Sequence, residues 1–383
     1  MIAPVPDTWA DDPVDRARRL ADELLEPHAA AADDPARGVR REHTRALAEA
    51  GLLSVRIPED EGGLGADART DVEVTEVLAG ACAATWFVVN QHRTPQMLAR
   101  GEVAGLDPAH FTPGEAGPRY RAALSSAEEQ AGLAIAHLRR PGPPAVRAEP
   151  DGTGWRLHGH ADWCTGWGLV DHVMIAATAP GDRYLFTLVP AHEAAGLRAG
   201  SPLPLAVMGG TRTVALEIDG LVVRPDAVLG LADGPAYREL DAARTANPTA
   251  ATTGLLRRVL RALAGLDRPG AAELAATLSE RAEELRAEAL ALLIEVPLRD
   301  RTPERLALRG ELGALTVRAA NALVAARAGA AMLLDSPEQR WAREASFHLV
   351  QAQTPPVREA QFAALGRLPD RRRTGGSDPD RQR

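Results

Sequence analysis

GWRLHGHADWCT, residues 154–165, lies where the helical period that dominates the chain has given way to another. Around it stand RYRAALSS, GLAIAHL, DHVMIAAT, RYLFTLVP and RTVALEIDGLVV, short runs bounded by Gly, Pro and Asp. Such a series is a β signature. The runs fall between about residues 119 and 230, closely enough spaced to predict a small barrel or sandwich. The same stretch, read on as GHADWCTGWGLVDH (159–172), holds two of the six tryptophans and one of the two cysteines. With aromatic residues at only 4% of the chain, that concentration needs a reason. Three are open: a core plug, a metal or thiol site near His158 and His160, or a wall for a flat ligand.

Outward from this window the period is helical on both sides. VDRARRLADELLEPHAAAA (14–32) has helical apolar spacing, and VRREHTRALAEAG (39–51) ends on Gly51 as a C-terminal cap. The Gly-broken link LLSVRIPEDEGGLGAD follows. Thr70 and Glu73 then form a capping-box pattern that predicts a helix toward Cys82. ATWFVVNQHRTPQMLARG (84–101) continues it, with an interruption predicted at Pro95 and a stop at Gly101. Helices return from Pro235, in 236–265 and 271–295, and Thr302-Pro303-Glu304 predicts a third long one with threonine as cap. The expected organisation is α, β, α: a helical region over 1–118, a β region over 119–232, a helical bundle over 233–368 and a disordered tail over 369–383.

Composition excludes several classes of chemistry. All 44 basic residues are arginine, and without lysine there is no Walker-type phosphate loop, pyridoxal Schiff base or lysine-based aldolase. A net charge of -8 with no basic cluster in the body argues against nucleic acid. No apolar run reaches the length of a membrane span, and two cysteines make no disulfide framework. With an acidic N-terminus unlike a signal peptide, these features set cytoplasmic as the expectation. His158 and His160 lack an acidic or Cys partner at ligand spacing, so no metal site is expected. Cys164 reads better as a buried thiol than as a nucleophile, since no pattern supplies its base. GGLG at 62–65 is a permissive loop rather than a Rossmann fingerprint. In DSPEQRWAREASFHL (335–349), Ser336 and Gln339 form a capping box with Pro337 in the first turn. Asp335 then sits just outside a helix N-terminus, either as a start signal favoured by the dipole or as a general base.

Four motifs together resemble the acyl-CoA dehydrogenase superfamily over about residues 15 to 366. LAEAGLLSVRIPEDEGGLGAD resembles its IPEEYGGLG-like N-terminal signature, and WRLHGHADWCTG its G-x-K-x-W-I-T-like strand. VMGGTRTVALEIDGLVVRPDAVLG is similar to its M-G-x-R-x-S/T stretch, and RWAREASFHLVQAQT to its final R-D-A helix and E-G-T turn. The resemblance implies an α+β fold with an N-terminal helical domain, a β-barrel-like middle domain and a C-terminal helical bundle. It also implies FAD, contacted by Trp163 and Thr165, by Ser125 in the place of an A-x-T-E threonine, and by Thr354. Asp335 falls on the position of the catalytic glutamate, one methylene shorter, in a segment that has lost the family's glycines. The R-x-x-F-G motif has no match between 255 and 300, and LAGLDRPGAAELAA stands in its place. The T-E-P-x-x-G-S-D loop has become SSAEEQAG.

The implied activity is α,β-dehydrogenation of an acyl-CoA or acyl-carrier-protein thioester, with hydride transfer to FAD. Electron-transfer flavoprotein or oxygen would accept the electrons, in a homodimer, a homotetramer or a heteromer with a related subunit. Two alternatives stay open. One is a flavin-dependent monooxygenase of the same fold, which needs no α-proton base. The other is a catalytically degenerate subunit that completes a more typical partner.

Overall fold

The computed structural model describes residues 12–367. Six helices come first: α1 (Pro13–Leu20), α2 (Glu26–Asp33), α3 (Arg41–Glu49), α4 (Ala68–Ala81), α5 (Ala83–Asn90) and α6 (Arg93–Ala99). A π-helical turn at Ala21–Leu25 joins α1 to α2. The sheet region holds β1 (Phe111–Pro113), α7 (Ala116–Ser125), β2 (Ala131–Ala134), β3 (Val146–Asp151), β4 (Gly154–Cys164), β5 (His172–Ala179), β6 (Arg183–Pro190), β7 (Leu197–Ala199), β8 (Val214–Val223) and β9 (Val228–Asp233). The last six helices are α8 (Gly234–Ala246), α9 (Ala250–Ala264), α10 (Ala271–Ile294), α11 (Thr302–Arg327), α12 (Pro337–Val350) and α13 (Pro355–Leu365). The tail expected to be disordered over 369–383 lies outside the described residues.

The nine strands form one sheet in the order β1-β9-β6-β5-β3-β4-β8-β7, with β2 pairing in parallel along β5. β5 shows why its sequence is apolar without alternation. Val173, Ile175 and Ala177 point into a core shared with the N-terminal helices, while Met174 and Ala176 point into a second core lined by α6, α7 and α8. A strand covered on both faces needs no polar side. A third core lies within the C-terminal bundle, built from Leu256, Val259, Leu285, Leu312 and Ala345 among others.

The helical regions meet where α4 crosses α9. Gly80 and Gly254 let the backbones touch: a Cβ on Gly254 would lie 2.2 Å from the Glu76 carbonyl oxygen. Beside this crossing the buried Glu76 carboxylate accepts from Arg286 Nε at 2.8 Å and from Arg257 Nη1 at 3.3 Å. A carboxylate out of water is tolerated only with such partners.

Several local expectations are corrected. Residues 119–126 are not a strand but the end of α7 and its cap residue Ser126, and Tyr120 and Leu124, one turn apart, both enter the second core. GLAIAHL is extended only through Ala134, followed by a 3₁₀ turn at Ala136–Arg139. β1 pairs with β9, so the sheet takes a strand from before residue 119. The cap of α4 is Asp67, whose Oδ1 accepts from Thr70 N at 2.8 Å, so Thr70 lies inside the helix. Pro95 sits in the first turn of α6, where no amide is needed, and the break falls at Gln91–His92. In α11, Thr302 is the first helical residue and Arg301 holds the cap position. The ends of α3 and α12 are as expected. Gly51 N and Leu52 N bond Ala48 O and Leu47 O, and Ser336 Oγ accepts from Gln339 N.

Candidate active site

Trp163 owes its position to an irregularity in β4. The register against β8 shifts between Ala161 and Cys164, so both of those side chains enter the core although three residues apart. The extra residue of such a bulge turns the intervening side chains outward. Asp162 and Trp163 are those side chains, and Trp163 is 48% exposed, the one exposed tryptophan among the described residues. An exposed indole beside a buried Thr165 is consistent with the ligand wall and rules out the core plug for Trp163. Trp167 is half-buried against the first core.

The thiol and metal readings end at the neighbouring residues. Cys164 is fully buried, and burial pushes its thiol up to about 12, so no thiolate forms near neutral pH. His160 Nδ1 lies 2.8 Å from Glu217 Oε1 and its Nε2 3.2 Å from Asp162 Oδ1. His158 Nδ1 accepts from Gly220 N at 3.2 Å. These are surface pairs, and no cluster of metal-ligating side chains forms among the described residues.

Thr165 carries a directed hydroxyl chain. Thr211 Oγ1 donates to Met208 O at 2.8 Å, which uses its only proton. The contact of Thr211 with Thr213, at 2.9 Å, is then a bond that Thr213 donates. The contact of Thr165 with Thr213, at 3.0 Å, is in turn donated by Thr165. Thr165 therefore spends its proton inward and keeps lone pairs for a donor on a ligand.

The turn that carries this chain is tied to both helical regions. Gly166 N and Trp167 N donate to Thr211 O and Arg212 O at 3.0 and 3.2 Å. Asp33, ending α2, accepts from Met208 N at 2.5 Å and from Arg343 of α12 at 2.6 Å, and Arg343 also donates to Ala206 O at 2.9 Å. Trp163 and Thr165 thus stand on a frame shared by α2, the 208–213 turn and α12.

Ser125, also expected at the cofactor, lies at the end of α7 rather than on a strand. Its side chain is fully buried, and its Oγ has no hydrogen-bond partner among the described residues. The backbone next to Thr165 belongs to β2, where a Cβ on Gly132 would lie 2.7 Å from Thr165 O. Leu133, Ala134 and Ile135 follow there and offer no hydroxyl. The segment between α7 and β2 is held from behind by His92, whose Nε2 lies 2.8 Å from Leu124 O while Nδ1 accepts from Ala131 N at 3.1 Å. Burial holds His92 neutral, at about 4, and the acceptor role of Nδ1 places its proton on Nε2.

Asp335 lies on the exposed turn before α12, and no hydrogen bond or ion pair among the described residues holds its carboxylate. Met332, Leu333 and Leu334 just before it are exposed as well. Thr354 is half-buried at the cap position of α13, with no side-chain capping bond. The two residues flank the 14-residue α12 and so stand about 20 Å apart by helix rise, more than one tricyclic ring spans.

Two carboxylates escaped sequence reading. Glu338, buried, accepts from Ser336 Oγ at 2.6 Å and pairs with Arg327 at 2.8 Å. Glu344 is buried with Arg340 Nε at 3.3 Å, and burial raises its carboxyl to about 7. The signal for Glu344 was the spacing Arg340, Glu344, His348, one polar residue per turn on the face that also carries Trp341 and Ala345.

The architecture is helices, a mixed sheet and helices again, the acyl-CoA dehydrogenase fold. The structure of butyryl-CoA dehydrogenase from Megasphaera elsdenii superposes with a TM-score of 0.74 at 15% identity, over 96% of this chain and 99% of that one. Dibenzothiophene monooxygenase (TdsC) from Paenibacillus sp. A11-2 gives 0.70 at 18% identity, over 94% and 98%. Residues 11–101 match the family model described as acyl-CoA dehydrogenase, N-terminal domain. The probable acyl-CoA dehydrogenase FadE25 of Mycobacterium tuberculosis is 32% identical over 168 residues, 43% of this chain and 41% of that one. (2S)-Methylsuccinyl-CoA dehydrogenase of Cereibacter sphaeroides is 25% identical over 242 residues, 59% of this chain and 42% of that one. The match to these two relatives thus spans about two fifths of their length. Residues 11–101 thus match the acyl-CoA dehydrogenase N-terminal domain, and the described chain has the acyl-CoA dehydrogenase fold.

Proposed function

We propose that the chain is an FAD-dependent oxidoreductase acting on acyl thioesters, with Trp163 and Thr165 facing the flavin. The observation that carries this reading is the exposed indole at the β4 bulge beside a threonine whose proton is committed inward. An indole face suits a flat ring, and the free lone pairs of Thr165 suit its imide N–H. The residues present fit the ring end of the cofactor, which when bound supplies the hydride acceptor. Thr354, at the far end of α12, would reach a more distant part of the same extended molecule.

Asp335 takes the α-proton in this reading. A carboxylate is a weak base for that proton until the thioester carbonyl is polarised. On an open turn it is also hydrated, so binding of the substrate must exclude water around it. The exposed Met332, Leu333 and Leu334 supply apolar surface for that closure. The carrier would be CoA or an acyl carrier protein, the electron acceptor an electron-transfer flavoprotein or oxygen, and the assembly a dimer or tetramer.

A second reading, oxygen-dependent monooxygenation, draws support from the same turn. No hydrogen bond or ion pair among the described residues holds the Asp335 carboxylate in place, and a reaction without α-proton removal would not require it to be held. Purified protein reconstituted with FAD and titrated with acyl-CoA under anaerobic light decides between them. Bleaching of the flavin band by acyl-CoA alone supports dehydrogenation, whereas bleaching only with an external reductant, followed by oxygen uptake, supports the alternative. Failure to take up flavin overturns both.

A further inference from the structure

Arg212 stands out by combining backbone strain with a guanidinium that no described residue engages. Its φ and ψ are +48° and 45°, in the left-handed region. For a residue with a Cβ this costs about 1–2 kcal/mol. Packing imposes the conformation: Arg212 O accepts from Trp167 N, Thr211 O from Gly166 N, and Gly210 O from Val39 N. Glycine or asparagine would meet that constraint with less strain.

No polar contact among the described residues compensates for the choice of arginine. The Arg212 side chain makes no hydrogen bond or ion pair among the described residues. Arg301, the other arginine at positive φ, pairs with Glu304 at 3.4 Å. The Arg212 guanidinium is exposed and lies over the Gly166–Gly168 turn, where a Cβ on Gly168 would be 3.7 Å from Nη1. It therefore sits by Gly168, three residues after Thr165, and the Arg212 backbone lies between Thr211 and Thr213 of the hydroxyl chain.

We propose that Arg212 is the phosphate-receiving group of the Trp163–Thr165 site, its planar fork presented to two phosphoryl oxygens of a bound ligand. The assignment rests on the flavin reading above. The phosphate could come from the pyrophosphate of the dinucleotide or from the phosphopantetheine end of a thioester carrier.

The test compares wild type with Arg212→Asn, which keeps a left-handed residue and removes the charge. Binding is measured for two pairs of probes, FAD against riboflavin and CoA against pantetheine. Loss of about tenfold or more in FAD affinity, with riboflavin unchanged, supports the proposal and names the cofactor as the source. The same loss for CoA, with pantetheine unchanged, supports it and names the carrier. The melting temperature of the variant should equal or exceed that of wild type, because strain is relieved and no internal contact is lost. Unchanged affinity for both FAD and CoA overturns the proposal, and so does a lower melting temperature with uniform loss of all four ligands. If wild type takes up no flavin, the proposed function fails and the CoA pair alone decides the role of Arg212. Absence of CoA binding as well overturns that role.

Discussion

Asp335 and Thr165 make opposite demands on their surroundings. Asp335 needs only its charge and reach, so replacing it by Asn should leave folding untouched. In the dehydrogenation reading the rate of flavin reduction by acyl-CoA should drop by about 10²-fold or more, read in a stopped-flow trace. An unchanged rate would remove Asp335 from the mechanism. Thr165 acts through a chain, and Thr165→Val removes the acceptor while leaving Thr213 without its donor. FAD binding should weaken by about fivefold to tenfold, with a shifted flavin spectrum. Glu344 and the histidines set the pH response. The raised carboxyl of Glu344 binds a proton in the folded chain between its ordinary 4.5 and about 7, so its contribution is lost as pH rises through 7. His92 and His348, pushed from 6.5 to about 4, contribute above 6.5 and lose that contribution as pH falls toward 4. Two groups outweigh one below 6.5, so from these three the melting temperature should climb from pH 4.5 to a maximum near 6.5 and then decline. Glu344→Gln should flatten the decline, and a profile that keeps it would assign the alkaline limb to other groups.

At the scale of elements, the crossing of α4 and α9 is the most sensitive joint. Gly254→Ala places a methyl group against backbone rather than a movable side chain, so the helices must separate. A loss of about 1–3 kcal/mol, or more, should appear as a lower urea midpoint. Ala at an exposed position of α10 should leave that midpoint unmoved. The start of α12 couples stability to the site, because Ser336 caps the helix and holds Glu338. Ser336→Ala should cost about 1 kcal/mol and, if Asp335 is the base, reduce turnover beyond what the stability loss explains. Many helix ends were legible because capping is a local matter of four or five residues: Gly51 and Ser336 were read correctly. α7 was misread because its short apolar spacing fits two periods, and only the second core, meeting Tyr120 and Leu124 on one face, selects the helix. Asp67 outcompeted Thr70 as a cap three residues away, and no window that short ranks the two.

Across the whole molecule, the α, β, α order and the fold class follow from the sequence alone. Each rests on local period or on a contiguous motif, and such patterns survive without knowledge of what packs against them. Tertiary structure decided what is non-local. The bulge that exposes Trp163 depends on the pairing of β4 with β8, and the proton direction in the Thr165 chain depends on a turn over 40 residues away. The burial of Ser125 at the end of α7 and the approach of Gly132 of β2 to Thr165 are likewise set by packing. Arg212 was one arginine among 44 until the turn fixed its backbone and left its guanidinium without a partner among the described residues. Strain, burial and the lack of a partner are relations between distant segments, and a linear sequence does not contain them until the chain has folded.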